Sequence, residues 1–189
     1  MLDWLYKLGY VNESNDKIIE LGLQRIKSTF TSIAFSAIVS WLMGDIIVGL
    51  LFELTYIPIR IYAGGYHASS KRRCEYLSYG SLILCMILVF YVPIKLILMN
   101  ILILMSGLII FLFSPIESPH KKLNNIEKKI FRRKSIIYMI IGILMYVALI
   151  KVGEVDWAKT IMISISLVSF GLILTFVETK NEEFCEKVH

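Results

Sequence analysis

One stretch of the sequence gathers the residue types that do covalent chemistry. Between Arg60 and Cys74 it holds two adjacent glycines, Gly64 and Gly65, then His67, Ser69, Ser70 and a basic triplet directly before Cys74. His67 is the only histidine among the first 119 residues. A cysteine attacks as its thiolate, and a free thiol, with a pKa of about 8.5, is mostly protonated at neutral pH. A nearby imidazole can take that proton and then stabilise the thiolate as an imidazolium. Arg72 and Arg73 would lower the thiol's pKa further.

The spacing restricts how such a dyad forms. In one continuous helix, residues seven apart lie about 10.5 Å apart along the axis, too far to share a proton. For a dyad, either the chain breaks between His67 and Cys74, or His67 precedes the helix that carries Cys74 and folds back onto it. Gly64 and Gly65 supply flexibility, and Ser69 or Ser70 can cap a helix running through Cys74 into the next apolar run. The positive end of that helix would also favour the thiolate. The same residue types admit other readings. With His120 they could ligate zinc, although zinc usually takes three or four ligands. A juxtamembrane cysteine can also be inert or palmitoylated. No metal and no cofactor is expected. Cys85 lies midway along an apolar run and is expected to pack. Cys185 lies in a short polar tail from Glu178, expected to be mobile.

The elements that must position this stretch are membrane helices. Of 189 residues, 57% are hydrophobic and 19% charged, where a soluble domain has about 45–50% and about 25%. The excess sits in uncharged runs of nearly bilayer length. They are Ser28–Gly44, Tyr76–Ile94, Leu96–Ile116, Ser135–Ile150 and Thr160–Val177, with a weaker run, Ile46–Ile59, interrupted by Glu53. This excludes a soluble enzyme, a disordered chain and a secreted disulfide scaffold. The expected fold is all-α: a polytopic integral membrane protein of about six short transmembrane helices. One membrane-embedded domain spans 1–189. Within it, 1–27 reads as an amphipathic interfacial segment, 60–75 as the cytoplasmic catalytic segment and 117–134 as a basic cytoplasmic loop. Pro93 and Lys95 predict a tight hairpin turn between Pro93 and Asn100.

Lys and Arg set the orientation. With a cytoplasmic N-terminus and six crossings, only Lys95, Lys151 and Lys159 of the 20 basic residues face outward. Omitting Ile46–Ile59 would move Arg60–Arg73 outside, against the positive-inside rule, so the weak run is expected to cross. Both termini and the segment from Arg60 to Cys74 are then cytoplasmic. Glu53 is left either buried in the bundle or near an interface in a tilted helix, and a buried acid is a functional flag. The net charge of +5 clusters beside apolar runs, which favours anionic membrane over nucleic acid as its counterpart.

At the Arg60–Cys74 stretch the sequence resembles the accessory gene regulator B (AgrB) family of membrane peptidases. The likeness rests on Arg60, Gly64, Gly65, His67 and Cys74 in a GG-x-H-x6-C pattern, and on Ser114-Pro115-Ile116-Glu117 opening a basic segment. Chain length and number of spans agree. The resemblance implies that Cys74 is the nucleophile and His67 its general base. It implies a membrane cysteine endopeptidase that cuts the acidic tail from an AgrD-like autoinducing propeptide. The acyl group would pass to the substrate's own side chain as a thiolactone or lactone. It also implies a homodimer. Glu117 is the candidate for orienting His67, and Ser69 and Ser70 for supporting the site. Lys121, Lys122, Lys128, Lys129, Arg132, Arg133 and Lys134 are candidates for steering the acidic tail; a positive-inside topology signal in contact with anionic membrane lipid would by itself account for these charges. Two functions from other classes compete: a small transporter built around Glu53 and Asp45, and a lipidated binding module.

Overall fold

A computed structural model describes residues 16–64, 71–116 and 124–188, with side chains except at 16–18, 21, 25, 71–75, 77 and 181–188. Six helices make up the described chain: α1 Asp16–Leu42, α2 Ile46–Ala63, α3 Lys71–Tyr91, α4 Leu96–Phe113, α5 Asn125–Val152 and α6 Val155–Val188. Among the described residues there is no strand. α2, α4, α5 and Val155–Lys180 of α6 are long and apolar enough to cross a bilayer. α3 contributes a shorter apolar stretch, Ser78–Tyr91. The all-α membrane architecture expected from composition is therefore the one observed.

The weakest apolar run became a central helix. α2 packs against α1, α5 and α6, and its hydropathy is the lowest of the four long apolar helices. A helix sheathed by other helices meets less lipid, so it can hold polar groups provided each finds a partner. Glu53 is buried and accepts a hydrogen bond from Ser32 Oγ at 2.7 Å. It thus lies inside the bundle rather than at a tilted helix's interface. Close approach of α1 to α2 uses small residues. Ser36 Oγ donates to the Gly49 carbonyl at 2.8 Å, and a Cβ on Gly49 would run into Ser40 Oγ.

α4 shows the inverse pattern, with its most apolar face outward. Ile97, Ile101, Leu104, Leu108 and Leu112 form an exposed stripe, while Ser106 and Gly107 face inward. In lipid there is no hydrophobic drive between helices, so small and hydrogen-bonding residues make the interface. Ser106 Oγ donates to Ser166 Oγ of α6 at 3.0 Å.

Four boundaries differ from expectation. α1 runs unbroken from Asp16 through Leu42, across the expected boundary at 27. The α3–α4 turn is confined to residues 92–95, and Asn100 lies within α4, accepting from Tyr146 Oη at 2.7 Å. Residues 125–134 are the opening of α5 rather than a loop. Asn124 caps that helix and its own N–H is met by Glu127 Oε2 at 2.9 Å, a reciprocal cap that fixes the start. Finally, the tail from Glu178 continues as helix α6 to Val188.

Polar side chains lock the end of the bundle where α2 and α6 begin. Asp45 caps α2 by accepting from the Ile47 N–H at 2.8 Å, and its other oxygen accepts from Trp157 Nε1 at 2.6 Å. Pro93 has no N–H to give the carbonyl four residues earlier. That carbonyl, of Val89, accepts instead from Lys159 Nζ of α6 at 2.6 Å.

Candidate functional site

The opposite end of the bundle holds the entry to the chemistry-bearing stretch. α2 closes with Arg60 in its last turn, and Arg60 Nη1 donates to the Gly64 carbonyl at 2.9 Å. A guanidinium here satisfies a carbonyl that the helix end leaves open and suits the negative end of the helix dipole. The arginine crosses α6 at Gly171, where an added Cβ would stand 3.6 Å from Nη1.

Gly64 is required by shape. It sits at φ +81°, a conformation that side chains rarely adopt. It also forms a parallel bridge with Ile116, whose N–H donates to the Ala63 carbonyl at 3.1 Å. A Cβ on Gly64 would run into the Ile116 carbonyl oxygen. The reason for this glycine is thus a close backbone crossing, beyond the flexibility read from the sequence.

Ile116 is itself held in place. Ser114 and Ser135 share a hydrogen bond of 2.6 Å, buried, and Ser135 Oγ donates onward to the Arg132 carbonyl at 3.0 Å. Tyr62 stacks on Tyr138 with ring centroids 5.5 Å apart and meets the edge of Phe131 at 5.6 Å. Lys134 Nζ lies 4.9 Å over the Tyr62 ring, which engages one of the basic residues assigned to steering. The last turn of α2, the end of α4 and the first turns of α5 are therefore joined as one unit.

The predicted site residues fall unevenly on this frame. Arg60, Gly64, Lys128, Lys129, Arg132, Arg133 and Lys134 are described. Gly65, His67, Ser69, Ser70, Glu117, Lys121 and Lys122 lie outside the described residues. Cys74 is in the opening of α3, which starts at Lys71 directly after Ser70; its side chain is not described. Cys85 is fully buried on α3. The described residues contain no cluster able to hold a metal. Sequence reasoning placed Ser114 in a motif but missed its partner Ser135, which lacked one. It also missed the opening of α5, although the Asn124-x-x-Glu127 spacing signals it.

The fold and this tied end define a multi-pass helical membrane protein whose polar, basic end carries its distinctive residues. The sequence matches the family model of accessory gene regulator B over residues 1–175, and the chain belongs to that family. The membership connects it with quorum-sensing peptide processing on an AgrD propeptide, and with membrane protease-like processing enzymes. No curated protein and no solved structure matches the chain.

Proposed function

We propose that the protein is a cysteine endopeptidase that removes the C-terminal tail of an AgrD-like precursor and permits its cyclisation. Cys74 Sγ, deprotonated by His67, attacks the carbonyl carbon of the residue preceding the tail. The peptide C–N bond breaks, and the imidazolium returns its proton to the leaving amine. The acyl group remains on Cys74 as a thioester. The precursor's own thiol, or hydroxyl, then attacks that carbonyl, closes the ring and releases Cys74. Exchange of one thioester for another is nearly balanced, so closure to a thiolactone needs no ATP. Exclusion of water keeps hydrolysis from competing.

The observation that carries this reading is the Gly64–Ile116 bridge. It joins the chain at the two points from which the His67 and Glu117 segments depart. Consecutive Cα atoms are about 3.8 Å apart, so His67 is at most about 11 Å from Gly64 along the chain, and Glu117 is one step from Ile116. That proximity supports Glu117 as the group that orients His67. The start of α3 at Lys71 supports Cys74 as a thiol near a helix N-terminus with His67 upstream of that helix. The positive-inside count supports cytoplasmic termini and site, and the family supports a homodimer.

The test is the pH dependence of iodoacetamide labelling at each cysteine in liposomes, with and without His67→Ala. Cys74 is expected to react with an apparent pKa well below about 8.5, returning upward in the variant. An ordinary thiol profile at Cys74 in both proteins, with no acyl adduct after addition of an AgrD-like peptide, would overturn the assignment.

A further inference from the structure

Beside the Ser114–Ile116 segment lies an open recess of about 560 Å³ between the end of α4, the start of α5 and the far end of the α6 span. Small-molecule sites span about 300–1,000 Å³. Its two halves differ in chemistry. One wall is apolar, built from Leu112, Phe113 and Phe176, the last two in edge contact at 5.0 Å. The other is cationic, with Lys128, Lys129 and Arg132 from α5 and Lys180 from α6. None of the described residues that line it is acidic.

We propose that this recess is a binding site for the phosphate-bearing headgroup of an anionic phospholipid. Three observations select a lipid over other anions. The recess lies where apolar runs give way to charge, since α4 ends at Phe113 and the uncharged run of α6 ends at Val177, just before Glu178 and Lys180. Its apolar wall is continuous with the exposed stripe on α4 through Leu112, so an acyl chain can run down that face while the headgroup stays among the cations. Lys180 Nζ lies 5.1 Å over the Phe176 ring, a position from which it can turn to a phosphate without leaving the recess. Basic pockets between helices on the cytoplasmic side are the expected sites for such headgroups. A free acidic peptide would use the cations but would leave the apolar wall uncovered. The third wall, Ser114–Ile116, continues into the Gly64 bridge, so occupancy bears directly on the segment leading to His67. Binding itself is independent of the proposed cleavage.

The test is native mass spectrometry of the full chain in micelles containing equal phosphatidylglycerol and phosphatidylcholine. Retention of phosphatidylglycerol is expected to fall about fivefold for each of Lys129→Gln and Lys180→Gln. Both side chains are exposed, so the fold is kept. Lys151→Gln, in the last turn of α5 at the opposite end, is expected to leave retention unchanged. An equal loss in Lys151→Gln, or no loss in the other two, would overturn the site. So would an acidic peptide or inorganic phosphate binding with the same lysine dependence and no phosphatidylglycerol preference.

Discussion

The two ends of the bundle are built on opposite plans. Where α2 and α6 begin, buried or capping side chains tie the helices: Asp45 to Trp157, Lys159 to the Val89 carbonyl, and Tyr146 to Asn100. At the other end a backbone crossing, a serine bridge, Arg60 and the Tyr62 ring cluster tie the segments, and an open basic recess remains beside them. The first end is made to hold its shape. The second holds two chain segments at one point and leaves space beside them. In a membrane protein this difference separates the end built to hold its shape from the end with room for a ligand.

The largest effect should come from the open end. Cys74→Ala is expected to reduce processing of an AgrD-like precursor by about 10³-fold or more, read by mass spectrometry of the products, whereas Cys85→Ala should leave turnover per folded molecule intact. Processing that is lost with Cys85 and kept without Cys74 would reverse the roles given to the two cysteines. Gly64→Ala comes next. Its Cβ meets the Ile116 carbonyl at an unfavourable φ, and displacing the two segments by an ångström should slow processing about 10²-fold. A Gly64→Ala protein with unaltered turnover would mean the bridge does not position the site.

Changes at the closed end should alter stability and leave chemistry alone. Lys159→Met orphans the Val89 carbonyl and is expected to destabilise by about 1–3 kcal/mol, visible as a lower Tm in detergent with unchanged turnover per folded molecule. The smallest effect should be at Ser32 and Glu53. A double-mutant cycle with Ser32→Ala and Glu53→Gln should return a coupling of about 0.6 kcal/mol. Substrate-dependent ion flux that vanishes in Glu53→Gln would instead revive a transport role for that acid.

Much of this was legible in the residues. Uncharged runs of bilayer length located the helices, and the charge count argued for keeping Ile46–Ile59 among the spans, where α2 is long and apolar enough to cross. The centrality of α2 was not legible, because hydropathy reports what a helix tolerates and not which neighbours cover it. Helix ends were misplaced where charge was taken for loop. Lys128–Lys134 are hydrophilic, yet Asn124 and Glu127 had already started the helix. Arg60 and Gly64 were singled out for their chemistry, but their observed contacts became clear only when Ile116, more than fifty residues away, was seen against them. No local pattern encodes a pairing of that separation.

The bond from Lys159 to Val89 also orders events during synthesis. α6 packs on α2, α3, α4 and α5 and leaves the ribosome after all of them. Until it arrives, the α3–α4 hairpin carries a carbonyl that Pro93 cannot satisfy and that Lys159 will meet. The hairpin can enter the bilayer early, but it becomes a settled part of the bundle only when the following helix brings its lysine. A chain halted before residue 159 should therefore remain a substrate for membrane quality control, however apolar its first five helices are.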